Sequence, residues 1–90
     1  MVSGYGIELS NDARKYRSRL PRNEQNKIDR AILSILEDPF GKSTFKIIPL
    51  KGPHKGKYRY RTDDFRIIYT ISKGELHIFV LEIGPRGDIY

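Results

Sequence analysis

The sequence predicts an α+β fold of two layers: an antiparallel β-sheet with two N-terminal helices packed on one face, in the order β-α-α-β-β-β. Three observations carry this. Apolar residues recur at helical spacing only in the first half of the chain, and from Lys57 onward they alternate as in strands. The breaks between the later strands are short enough for tight turns, so those strands pair as an antiparallel meander. Ninety residues give room for one modest core, and hence for a single domain spanning 1–90.

The elements follow in order. Tyr5, Ile7 and Leu9 alternate with Gly6 and Glu8, the period of a half-buried strand. Ser10 or Asn11 can cap a first helix, with Asp12 near its positive end. Ala13, Tyr16, Arg17 and Leu20 line its inner face, the Arg17 stem providing part of the cover. Pro21 breaks this helix and suits the first turn of the next. There Ile28, Ala31, Ile32, Ile35 and Leu36 form the best-defined apolar stripe, and Asp38-Pro39 with Gly41 end it. Residues 42–56 leave two readings open. Phe45, Ile47 and Ile48 form a short strand or only cover the core, while Pro49, Gly52, Pro53 and Gly56 favour an irregular connection. Residues 57–61 alternate cation and tyrosine, 62–64 turn, and 65–72 form a strand with Phe65, Ile67, Tyr69 and Ile71 on one face. Residues 72–74 turn the chain again, 75–83 form a last, largely buried strand, and 84–90 follow as a tail.

Charge narrows the function. The chain has 17 Lys and Arg against 11 Asp and Glu, a balance of +6. Residues 42–66 hold eight of the basic residues and two of the acidic ones, so this segment carries the whole excess. Such concentration points to a polyanion, nucleic acid before any membrane surface, although a solvated basic face also keeps a protein in solution. The absence of cysteine excludes disulfides, thiolate metal sites and a cysteine nucleophile, and fits a cytoplasmic location. The first residues show no signal peptide. The apolar stretch 76–83, which contains His77 and Glu82, is too short to span a bilayer.

On the strand 57–61, period-two geometry puts Lys57, Arg59 and Arg61 on one face and Tyr58 and Tyr60 on the other. Alternate residues lie about 6–7 Å apart, a spacing suited to nucleic-acid phosphates. Antiparallel pairing brings Arg66 near Arg61 or Arg59, and a bend at Gly84-Pro85 can bring Arg86 to the same face. Lys51 and Lys55 extend the basic surface. The two histidines, His54 and His77, are not spaced as a pair and read as structural or solvent-exposed. Glu82, a carboxylate within an apolar strand, reads as the partner of a nearby cation. The acidic residues are scattered, no metal-ligand cluster or phosphate loop is visible, and no cofactor is implied.

The ordered set Leu50-Lys51-Gly52, Gly56-Lys57-Tyr58-Arg59-Tyr60-Arg61, Asp64-Phe65-Arg66-Ile67-Ile68-Tyr69, Ile83-Gly84-Pro85-Arg86 and Ile89-Tyr90 resembles the signature of the RelE/ParE toxin superfamily. The resemblance covers almost the whole chain and implies a toxin of a type II toxin–antitoxin system. Its RelE branch implies a ribosome-dependent endoribonuclease, working without metal or cofactor on messenger RNA in the decoding site. By motif position, Lys57, Arg59, Arg66, Arg86 and Tyr90 are then the catalytic residues, with Lys51, Lys55 and Arg61 binding substrate. Lys57, crowded by Arg59, Arg61 and Arg66, is the expected base. Arg66 and Arg59 hold the phosphate, Arg86 attends the leaving oxygen, and Tyr90 stacks on or orients a base. Two residues depart from the pattern. Arg59 stands where lysine is common, and arginine hardly releases its proton. Pro85 stands where histidine or a basic residue is common, which removes one candidate acid.

The resemblance also implies partners: a cognate antitoxin, acidic where it meets residues 42–66, the ribosome and its mRNA, and operator DNA only through the antitoxin complex. Two rival functions fit the same residues. One is a ParE-like inhibitor of DNA gyrase with the same fold, and the other a non-catalytic module binding RNA or DNA.

Overall fold

The computed structural model describes residues 5–86. The chain runs β1 (Gly6–Leu9), α1 (Asn11–Ser18), α2 (Arg22–Glu37), β2 (Ile47–Pro49), a 3-10 turn (Gly52–His54), β3 (Tyr58–Arg61), β4 (Phe65–Ser72) and β5 (His77–Pro85). One five-stranded sheet has the order β1-β5-β4-β3-β2.

The two-layer α+β arrangement is as expected, with two differences inside the sheet. Strands β2 to β5 form the antiparallel meander. The expectation of a wholly antiparallel sheet is corrected at one edge, where β1 pairs with β5 in parallel, so the sheet is mixed. The reason lies in the connection: the α1–α2 hairpin carries the chain across the sheet before it returns. The second difference is β2, one of the two readings left open for residues 42–56. It lasts three residues before the Gly/Pro-rich loop ends it.

Local chemistry sets the element ends. The Ser10 hydroxyl accepts from the Ala13 N–H at 3.1 Å, capping α1, and donates to the Leu81 carbonyl at 2.7 Å. One side chain thus fixes both a helix start and its seat on β5. Pro21 stands just before α2, its carbonyl receiving the N–H groups of Glu24 and Gln25. Asp38 closes α2 from its far end and accepts from the N–H groups of Lys42 and Ser43. Gly41 then takes φ +69°, and a Cβ there would lie 2.8 Å from the Ile47 side chain. Only glycine lets this loop run so close to β2. The last strand starts at His77, later than expected, because Leu76 adopts φ 49° and extends the turn.

The core joins Ala13, Ile28, Ala31 and Ile35 of the helices to Ile47, Tyr60, Phe65, Ile67, Tyr69, Ile78, Val80 and Ile83 of the sheet. Tyr69 is fully buried and its hydroxyl donates to the Pro39 carbonyl at 2.7 Å. Between β4 and β5 the register shifts: Ile68 pairs with Glu82, but Tyr69 pairs with Val80, leaving Leu81 as a bulge. The bulge lets Val80 and Ile83, three residues apart, both face the core. It also turns Glu82 and Gly84 to the sheet's other face.

Candidate nucleic-acid interface

The face of the sheet turned away from the helices carries the polar chemistry. Two cross-strand rows build it. In the first, Arg61 on β3 stands opposite Arg66 on β4, which stands opposite Gly84 on β5. In the second, Arg59 stands opposite Ile68, which stands opposite Glu82. Neighbouring strands lie about 4.8 Å apart and alternate residues about 6.6 Å apart, so the rows form a compact grid. Ile68 is fully buried although it lies on this open face. Its apolar side chain stands at the centre of the grid.

Arg66 is the buried charge of the site, 5% exposed, and its Nη2 lies 3.1 Å from Glu82 Oε1. The expectation that Glu82 pairs with a nearby cation is met by this bond. Arg59 is half-buried, and its Nε is shielded from solvent without a hydrogen-bond partner. Burial first, then the charges of Arg61 and Arg66, lower the pKa of the Arg59 guanidinium from its ordinary value. Arg59 and Arg61 thus add two cations beside the Arg66–Glu82 pair, a balance that favours an anion in the grid.

The other expected residues fall around this grid. Arg61 is exposed at its rim, its N–H held by the Lys46 carbonyl at 3.0 Å. Lys57 precedes β3, next to Tyr58, which pairs with Tyr69, so Lys57 stands one row beyond Arg59 and away from Arg66. It joins Lys51 and Lys55 instead. These three lysines line a pocket of about 300 Å³ with Pro49, Leu50 and Tyr58. The expected site therefore divides into an arginine grid and an adjoining lysine loop. Arg86 is exposed, two residues beyond Gly84, and its N–H is fixed by the Asp64 carbonyl at 3.1 Å. Asp64 also meets Lys27 at 3.0 Å, so the β3–β4 turn anchors both α2 and the end of β5. Tyr90 lies outside the described residues. Among the described residues, no three His, Asp or Glu side chains group to hold a metal ion, and no helix is long and apolar enough to cross a membrane.

Sequence reasoning paired Glu82 with a cation but did not make it part of the site. The bulge at Leu81 brings it there, and no residue pattern announces a bulge. A second basic pocket, about 460 Å³, was also not foreseen; Lys27, Arg30 and Lys46 line it with Tyr60 and Asp64, between α2 and the β3–β4 turn.

The fold matches solved toxins closely. The RelBE2 toxin–antitoxin complex of Mycobacterium tuberculosis aligns at TM-score 0.79 and 19% identity, covering 93% of each chain. The archaeal RelE–RelB complex of Pyrococcus horikoshii OT3 aligns at 0.76 and 25%, covering 94% of this chain and 98% of that one. The isolated RelE toxin of E. coli aligns at 0.75 and 18%, covering 96% and 88%. No curated protein matches the sequence. A family-model match over residues 7–90, with this fold, makes the chain a toxin of a type II toxin–antitoxin system. The chain belongs to the ParE toxin family: the model for the ParE toxin of the type II toxin–antitoxin system parDE matches residues 7–90.

Proposed function

We propose that the protein is a ribosome-dependent endoribonuclease that cuts messenger RNA in the decoding site and so stops translation. The observation that carries this reading is the arginine grid: Arg59, Arg61 and Arg66 occupy neighbouring positions around a buried Ile68 on the sheet face turned away from the helices. A phosphate seated there meets bidentate donors in a partly dry setting, where charge stabilisation is strongest. The ribose 2′-hydroxyl is the nucleophile, so the protein supplies charge, geometry and proton transfer. Arg66 and Arg61 hold the phosphate, Arg59 offsets the extra charge of the transition state, and Arg86, just beyond β5, adds positive charge to the site. Lys57 exchanges a proton, Lys51 and Lys55 bind flanking phosphates, and Tyr90 stacks on a base. The ribosome presents the substrate in a reactive geometry, which is worth several kcal/mol. An antitoxin with an acidic segment silences the toxin by covering the residues of 42–66; the complexes among the structural neighbours support such a partner. That complex, rather than the toxin alone, contacts operator DNA.

The test is induction in a bacterial host without any antitoxin, followed by mapping of mRNA 5′ ends. Growth arrest with cuts inside translated codons is expected, and Arg66→Ala should cleave about a hundredfold or more slowly, the usual loss for one transition-state donor. Arrest with intact mRNA overturns the reading. The ParE family match favours a second reading, inhibition of DNA gyrase. DNA breaks with uncut mRNA would select it.

A further inference from the structure

We propose that Glu82 takes the proton from the attacking 2′-hydroxyl, an assignment that rests on the endoribonuclease reading above. Among the described residues, Glu82 is the one acidic side chain on the open face of β3, β4 and β5. It is 44% exposed, whereas its partner Arg66 is 6% exposed, so substrate reaches the carboxylate more readily than the guanidinium beneath. The 3.1 Å ion pair holds that carboxylate beside the group that binds the phosphate.

The grid also has the polarity that in-line displacement needs. The attacking 2′-oxygen and the departing 5′-oxygen must lie on opposite sides of phosphorus. Glu82 stands on β5 and Arg59 on β3, with Ile68 between them, so the two flanks are about 10 Å apart. A phosphate over Ile68 therefore has a proton acceptor on one side and cations on the other. Arg59 cannot act as that acceptor, because a guanidinium holds its proton.

The step balances as follows. A Glu82 carboxylate oxygen takes the 2′-hydroxyl proton as the 2′-oxygen bonds to phosphorus. The bond from phosphorus to the 5′-oxygen breaks, and the Lys57 ammonium, on the β3 flank, gives that oxygen its proton. The products are a 2′,3′-cyclic phosphate and a 5′-hydroxyl. Glu82 releases its proton to water and Lys57 regains one. Lys57 is thus the acid, the reverse of the role expected for it.

Single-turnover cleavage of mRNA on purified ribosomes, over a range of toxin concentrations, tests this. Glu82→Gln should lower the saturated rate about a hundredfold or more, as loss of a general base does, while the half-saturating concentration stays equal or falls because Arg66 is released. Glu82→Asp, which keeps the charge, should lose less rate than Glu82→Gln. If both variants keep the parent's saturated rate and only the half-saturating concentration changes, Glu82 merely balances charge and the assignment fails while the nuclease reading stands. If the parent itself leaves ribosome-bound mRNA intact, both fall.

Discussion

Arg59, Arg66 and Tyr69 show how single side chains set the character of the two faces. Arg59 places a lasting cation on the open face, and its lowered pKa comes from burial before it comes from Arg61 and Arg66. On the proposed endoribonuclease reading, such a group serves charge stabilisation and not proton exchange. On the opposite face Tyr69 is buried among apolar residues, stacks on Tyr58 at 5.6 Å between ring centroids, and spends its one donor on Pro39. Burial raises its pKa, so the phenol stays protonated and the bond persists at any physiological pH. Tyr69→Phe leaves the Pro39 carbonyl buried and unpaired, and should cost about 1–3 kcal/mol of stability. Urea unfolding checks this, with an unchanged slope expected because no further surface is exposed. Loss of less than a few tenths of a kcal/mol would mean that water reaches Pro39.

The α1–α2 hairpin was the most legible element, and its reason is physical: the stripe Ile28, Ala31, Ile35 and Leu36 is buried as its period requires. The strand at residues 65–72 was equally plain, since alternation there matches a sheet with one apolar face. Two features escaped, and a third, β2, was left as one of two readings. The parallel edge at β1 depends on where the hairpin returns, which no local pattern encodes. β2 is three residues whose signal is drowned by flanking Pro and Gly. The bulge at Leu81 appears in sequence only as an apolar run, yet it decides that Glu82 joins the arginines. The expected cation cluster was legible as Arg66 facing Arg61 or Arg59, and the register places it opposite Arg61. The separation of Lys57 from that pair was not legible. The hairpin itself is locked by Arg17, whose Nε and Nη2 reach Asp29 at 2.9 and 2.8 Å. The hydrogen bond from Arg17, then the charges of Arg17 and Arg22, hold the Asp29 carboxyl below its ordinary 3.8, against a smaller opposing effect of burial. The folded value lies below the unfolded one, so this contribution is complete above 3.8 and is lost as pH falls through the depressed value. Asp29→Asn should therefore lower stability at pH 7 by less than about 1 kcal/mol, since the pair is solvent-screened. Thermal melts should show the difference from the parent closing as pH drops below 3.8. A gap that persists in acid would assign the loss to packing.

At the scale of the whole molecule, the division of the basic surface matters more than its sum. The excess of +6 resides in residues 42–66, but the fold distributes those residues to two places. Arg59, half-buried, and Arg66, buried, stand beside the buried Ile68, with Arg61 exposed at the rim. The lysines Lys51 and Lys55 are exposed on the loop around the 3-10 turn, where water and salt screen them. On the endoribonuclease reading proposed above, the grid orients one phosphate and the loop draws the polyanion toward the open face without reading its sequence. Binding of single-stranded RNA should weaken with salt, and each exposed lysine that neutralises a phosphate adds about 0.7 to the slope of log affinity against log salt. Lys51→Ala/Lys55→Ala should reduce that slope by about 1.4 and weaken binding to unrelated RNA sequences equally. Fluorescence anisotropy across a salt series measures it. An unchanged slope would mean that the lysine loop does not touch phosphates, and that the arginine grid alone holds the strand.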